Sequence, residues 1–284
     1  MAAEKTSKLS EAYPMKAGDG PNSYAKNSAY QNLSIKVQGQ GFNSQIPEFQ
    51  VFFNDHTPND FNMLFKSLPQ SRRYYAAGVP GSFYGRIFAN ASIHLVHSSY
   101  ALHWLSRVDS PDWNKGRIDY SHSTEEVIVY GGLMILIIPG SPNGTPHSLT
   151  SLNVVYQLLG SCLMDLARKG VVREEKVDSF NIPIYTTSPQ ELQAAVEKNG
   201  CFSTEKMENL PCIPALDIEN VTRRAQLIAY HVRAATEGLI KQQLGDEILD
   251  EPFGLYSKKL EQQPSIFESG KAINFLVVLK RKAN

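Results

Sequence analysis

One short run limits the fold more than any other: Gly132-Leu-Met-Ile-Leu-Ile-Ile138, stopped by Pro139-Gly140. The run is strand length and falls far short of the ~20 apolar residues of a membrane span. It shows no polar alternation, as expected of a β-strand covered on both faces. The rest of the chain must therefore supply layers on either side of it.

Other runs fit that demand. Gln50-Val-Phe-Phe-Asn54 leads into Asp55-His-Thr-Pro, Ile93-His-Leu-Val-His97 leads into Ser98-Ser99, and Ile273-Asn-Phe-Leu-Val-Val-Leu279 predicts a further strand near the C-terminus. Helical spacing covers Leu152 to Lys169 and stops at Gly170, a left-handed cap. Ser188-Pro-Gln-Glu191 matches a capping box with proline at the first helical position, and Gly200 closes that helix. Thr222 to Leu244 is another amphipathic helix. Strands with helices between them, followed by helices, predict an α/β sheet domain with a helical cap.

Charge excludes some partners. Lys plus Arg number 28, as do Asp plus Glu, so the net charge is zero. Neither nucleic acid nor an anionic membrane is expected as a partner of a chain without cationic surplus. The 3 cysteines, Cys162, Cys201 and Cys212, form no CxxC and argue against a disulfide framework. With no apolar run in the N-terminal stretch MAAEKTSKLSEAYPMK, the expectation is a cytoplasmic, soluble protein.

Individually, the chemical motifs are ambiguous. KAGDGPNSYAKNSAYQ (16–31) has neither GxGxxG nor GxxxxGK[ST] spacing and no strand before it, so it is no phosphate loop; taken alone it is a polar segment with a turn. Asp55 follows a strand, where ligands of open α/β sheets sit, or it is an ordinary turn residue. Gly78-Val-Pro-Gly-Ser-Phe-Tyr-Gly85 reads as a glycine-rich loop suited to a flat ring, or as a structural turn. Ser98-Ser-Tyr-Ala-Leu-His-Trp104 sets hydroxyls, an imidazole and an indole after a strand, though buried Trp and His usually belong to cores.

In order along the chain, MKAGDGPNSYAKNSAYQ, FFNDHTPNDFNMLF, GVPGSFYGRIF, HSSYALHWLS, NKGRI and EEKVDSFNIPIY strongly resemble the plant SABATH methyltransferases. These enzymes transfer methyl from S-adenosylmethionine to small carboxylic acids or, in the caffeine branch, to ring nitrogens. Asn54-Asp-His56 and the C-terminal FLVVLKRK look most like the loganate (iridoid acid) methyltransferases. The resemblance implies a Rossmann-like methyltransferase sheet with a helical substrate cap, and a homodimer. Residues 1–150 would form the cofactor-binding core with an N-terminal lid, 151–265 the mainly helical cap, and 266–284 a strand returning to the sheet.

The same resemblance distributes roles. Tyr24, Ser28, Asp55, His56, Ser82, Phe83 and Ser98 would bind the cofactor, the Asp55 carboxylate accepting from ribose hydroxyls and Ser82 with Phe83 flanking adenine. Lys16, Gln31, Tyr100, His103 and Trp104 would face the acceptor, with the Gln31 amide and Trp104 indole gripping its carboxylate as N–H donors. His103 either tunes the pocket or fills it. Asn114, Asp178, the Phe180 backbone and Asn181 would hold Mg2+ through hard oxygens, or else form a loop pinned by Asx hydrogen bonds. No catalytic acid or base is expected, because a carboxylic acid of pKa near ~4 is ionised at neutral pH.

Part of the family pattern is missing. Gln31 runs directly into Asn32-Leu-Ser-Ile-Lys-Val-Gln-Gly-Gln-Gly41, where the family carries a first strand and an Asp-x-Gly-Cys-x-x-Gly-Pro-Asn-Thr turn for the methionine end of the cofactor. Further shortfalls lie between Glu125-Glu126 and Gly131-Gly132, where a long helix is expected, and near Val108-Asp109. Either these internal segments are truly deleted and a central strand is lost, or the 284 residues are only the ordered ones and mobile segments beside the cofactor site are left out; the second is the expectation. Two rival activities stay open: an N-methyltransferase of the caffeine type, disfavoured by Gln31, and a non-catalytic truncated paralogue.

Overall fold

The computed structural model describes residues 48–105, 126–210, 220–245, 248–264 and 271–283. In chain order the elements are β1 Phe49–Asp55, α1 Phe61–Ser67, β2 Tyr74–Pro80, β3 Ile93–Ser99, β4 Ile128–Gly140, α2 Ser151–Arg168, α3 Glu174–Asp178, α4 Pro189–Asn199, β5 Phe202–Leu210, α5 Val221–Leu244, α6 Asp250–Gln262 and β6 Ile273–Arg281. β1 and β2 pair in parallel as one sheet, from Phe49 opposite Tyr74 to Asp55 opposite Pro80. The second sheet runs β3-β4-β6-β5. Within it β3 and β4 are parallel, and β6 lies antiparallel between β4 and β5.

The apolar run sits where its composition requires. β4 is flanked by β3 and β6, and Leu136, Ile137 and Ile138 are almost wholly buried. β4 is longer than predicted, starting at Ile128 and continuing through Pro139 to Gly140. Its first residues bulge. Ile93 faces Ile128 but Leu95 faces Leu133, so two steps along β3 are matched by five along β4. Gly131 takes a φ of 75° inside that bulge, Arg281 donates to the Ile128 carbonyl, and its guanidinium stacks 4.6 Å above Tyr130. The bulge coincides with the helix shortfall read from the sequence.

Cap signals translate directly into helix ends. Ser188 Oγ accepts from the Glu191 N–H while the Glu191 carboxylate accepts from the Ser188 N–H. Pro189 opens α4, and Gly200 ends it at φ 77°. In α2 the Thr150 hydroxyl caps the start, and Gly170 follows the end at φ 76°. Two apolar clusters result. Ile128, Met134, Leu136, Ile138, Phe275 and Val277 of the sheet pack with Leu192 and Val196 of α4. The second cluster joins α2, α5 and α6 through residues such as Leu159, Leu163, Val232, Ile240 and Tyr256.

Four elements escaped the sequence reading. β5 contributes an outer strand to the sheet in a stretch otherwise helical, α6 packs against α2 and α5, α3 packs against α2, and α1 follows Asp55 closely. The Gly78–Gly85 stretch needs correction: Gly78, Val79 and Pro80 belong to β2, and the loop starts only at Gly81. Among the described residues no strand joins the β1–β2 sheet to β3, no residue from 48 to 105 is buried, and no helix is long and apolar enough to cross a membrane.

Candidate active site

Of the expected cofactor residues that are described, Asp55 and His56 stand at the carboxyl end of β1, Ser82 and Phe83 follow β2, and Ser98 is near the end of β3. Asp55 is the last residue of β1, and its Oδ1 accepts from the His56 N–H at 2.8 Å. Its neighbour Asn54 fixes the adjacent strand end, donating through Nδ2 to the carbonyls of Val79 (2.8 Å) and Gly81 (2.9 Å). The Gly81 N–H returns a hydrogen bond to the Asp55 carbonyl at 2.8 Å. Gly81 has a φ of 146°, which favours glycine, and a Cβ there would crowd Ile87 at 3.2 Å. The loop that follows is tight: Gly85 N–H donates to the Ser82 carbonyl, and Ser82 Oγ accepts from the Tyr84 N–H. The Phe83 and Tyr84 rings lie 4.6 Å apart.

After the β3 end come Tyr100, His103 and Trp104, three of the residues expected to face the acceptor. Ser98 and Ser99 complete the strand, and Tyr100 turns the chain with a φ of 53°, a costly conformation for an aromatic residue. Ser99 Oγ is sealed from solvent without a hydrogen-bond partner. The loop beyond it is stitched to residues 183–185: Leu105 N–H donates to the Pro183 carbonyl (2.7 Å) and Tyr185 N–H to the His103 carbonyl (2.8 Å). These bonds bracket an antiparallel bridge between Trp104 and Ile184. The Trp104 indole N–H has no hydrogen bond among the described residues. His103 stacks at 5.7 Å from Trp104, and its Nδ1 is buried and unpartnered. Burial, reinforced by His231, pushes the His103 imidazole down to about 3. It is neutral at any ordinary pH.

These residues suit S-adenosylmethionine on its adenosine side. An exposed carboxylate stands at a strand end, an aromatic ring follows in a fixed turn, and an orphaned hydroxyl lies beside Ser98. Lys16, Tyr24, Ser28, Gln31 and Asn114 lie outside the described residues. Asp178 ends α3, with Phe180 and Asn181 immediately after it. The side chains of Asp178 and Asn181 are exposed and make no hydrogen bond or ion pair among the described residues. Among the described residues no group of three or more His, Cys, Asp or Glu gathers as a metal cluster. Two contributors were missed by sequence reading: Asn54, which fixes the strand ends, and Tyr84, whose phenol donates to the Trp104 carbonyl.

Fold and site together define a Rossmann-like methyltransferase using S-adenosylmethionine. A solved loganic acid methyltransferase with SAH superposes with a TM-score of 0.82 at 35% identity, covering 95% of this chain and 99% of that one. Loganic acid O-methyltransferase of Catharanthus roseus is 41% identical, over 93% of this chain and 78% of its own length. Farnesoic acid carboxyl-O-methyltransferase of Arabidopsis thaliana is 32% identical, over 97% and 86%. The family model for SAM dependent carboxyl methyltransferases matches residues 34–129 and 120–282. The chain belongs to that carboxyl methyltransferase family.

Proposed function

We propose that this chain forms the methyl ester of a loganate-type iridoid acid. Trp104 carries the reading: an indole N–H without a hydrogen bond among the described residues, on a loop stitched to 183–185 and resting on the aromatic loop after β2. Identity to the Catharanthus loganic acid enzyme supports the acceptor class. S-adenosylmethionine, when bound, supplies an electrophilic methyl on a sulfonium.

The chain's own residues then have to place the acceptor. Asp55, with His56 beside it, holds the ribose hydroxyls, Ser82 and Phe83 flank the adenine, Ser98 lies close by, and Tyr24 and Ser28 close over from the lid. Gln31 and Trp104 hold one carboxylate oxygen so that the other is free to attack, within ~3–3.5 Å of the methyl carbon. Neutral donors suit this task because a cationic clamp would quench the nucleophile. Lys16, Tyr100 and His103 line the pocket. A neutral His103 gives shape and a hydrogen bond without pairing electrostatically with the acid. Mg2+ bound by Asn114, Asp178, the Phe180 carbonyl and Asn181 would brace the segment that pairs with Trp104. Residues 1–150 would act as core with lid and 151–265 as cap, in a cytoplasmic homodimer.

Incubation with S-adenosylmethionine and salicylate, jasmonate, indole-3-acetate, loganate or a methylxanthine tests the acceptor. Methyl loganate is the expected product; a methylated xanthine would overturn the reading. That no strand among the described residues joins β1 to β3 favours one rival, a paralogue that holds an acid but no cofactor. Calorimetry with S-adenosylhomocysteine separates the two, since the rival shows no heat of binding.

A further inference from the structure

The bridge between Trp104 and Ile184 leaves a specific need. Its hydrogen bonds come from the neighbouring residues, Leu105 to Pro183 and Tyr185 to His103. In such a non-hydrogen-bonded antiparallel pair, the N–H and C=O of the bridged residue point away from the partner strand. The Trp104 N–H turns back to the Ala101 carbonyl at 3.1 Å. The Trp104 carbonyl is met by the Tyr84 phenol, from a segment twenty residues earlier.

Tyr84 is built into the loop that the proposed function assigns to adenine. Its N–H donates to Ser82 Oγ, and its ring tilts against Phe83. The root of that loop is bound to β1 by Asn54 and by the Asp55 carbonyl. Burial raises the phenol to about 12, so it remains a protonated donor at every working pH. One continuous path of bonded contacts therefore runs from the Asp55 strand end, through Ser82, Phe83 and Tyr84, to the backbone of the residue carrying the acceptor-side indole.

We infer that Tyr84 is a positioning residue that couples cofactor occupancy to the setting of Trp104. Resting on the proposed function, this assigns Tyr84 no contact with either reactant. An adenine ring held against Phe83 fixes the 81–85 turn, the turn fixes the phenol, and the phenol fixes the Trp104 carbonyl and with it the indole. Tyr84→Phe keeps the ring stack but leaves that carbonyl without its donor, so the indole is no longer set by the cofactor loop. Coupling of this kind is reciprocal, so occupancy by either ligand tightens the other by the same factor.

The test reads coupling rather than rate alone. Titrating loganate with and without saturating S-adenosylhomocysteine should give, for the unmodified chain, acceptor binding tightened about five-fold or more. In Tyr84→Phe that ratio should fall to near one, turnover should drop about ten-fold, and S-adenosylhomocysteine affinity should stay within about two-fold. A second measurement needs no turnover and no Tyr84 variant. The chain has 2 tryptophans, so Trp113→Phe leaves Trp104 as the sole indole, and S-adenosylhomocysteine should shift its emission. A coupling ratio retained in Tyr84→Phe overturns the inference, as does a parallel loss of both affinities. So does an unmoved Trp104 emission when calorimetry shows the nucleoside bound, or a nucleoside that does not bind at all. An emission shift without ester formation from any acid in the panel supports the coupling while sinking the acceptor assignment.

Discussion

Residues 48–105 and residues 126–283 are built to different standards. The later region holds both apolar clusters and every buried residue described. The earlier region fully buries no whole residue, only single atoms such as Ser99 Oγ and His103 Nδ1, and leaves Phe49, Phe52, Tyr75 and Leu95 between 43% and 61% exposed. Yet most of the expected site residues that lie within the described segments stand in the earlier region. Its weakness has a topological cause: β1–β2 forms a sheet of its own, with no described strand joining β1 to β3. Two strands lack the paired faces that make a sheet independently stable. The packed core and most of the expected site thus fall in different halves, connected by contacts such as Arg86 with Glu126 and the bridge of Trp104 with Ile184.

The sharpest way to break this contrast is to truncate one phenylalanine in each half. Phe275→Ala empties a wholly buried site between β4 and α4 and should cost about 3–5 kcal/mol, read as a lower denaturation midpoint. Phe52→Ala removes a ring that is 43% exposed and touches Phe88 edge-on, and should cost under ~1 kcal/mol. Equal losses would show that the front half shares the core. A middle-sized effect is expected at the cap of α4. Ser188→Ala removes the side-chain half of the capping box and should cost about 1 kcal/mol with turnover unchanged.

The front half is also tested by pH. His103 has a folded pKa far below its unfolded value near ~6.5, because the neutral ring is the one that stays buried. The unfolded chain then binds more protons between these values, so this contribution to stability is whole above ~6.5 and declines as pH falls toward about 3. His103→Gln should flatten that decline in acid unfolding curves. An unchanged curve would mean that the imidazole protonates as freely in the fold as outside it.

Legibility in the sequence follows the same divide for physical reasons. β4, β6, α2 and α4 were readable because uninterrupted apolar runs and cap residues act locally. β5 was not: Phe202-Ser-Thr-Glu-Lys-Met-Glu-Asn-Leu210 loses its two-residue period at a register shift between Thr204 and Lys206, and it pairs along one edge alone. β2 was mistaken for loop because Gly78 and Pro80 are turn residues elsewhere. Here Gly78 leaves room for Phe61, whose ring would lie 2.8 Å from a Cβ, and Pro80 sits at the last strand position. In the site, Asp55, Ser98 and Trp104 were visible as motif members. Asn54 and Tyr84 were not, because each acts on carbonyls twenty or more residues away. Side chains that serve remote backbone leave no local pattern.

The most direct measurement is Trp104→Ala, assayed for methyl ester formation and, by calorimetry, for S-adenosylhomocysteine affinity. Placement of an ionised acid by neutral donors predicts a fall in turnover of about a hundred-fold, with nucleoside affinity within about two-fold of the unmodified chain. Turnover left intact, or nucleoside affinity lost in equal measure, would contradict it.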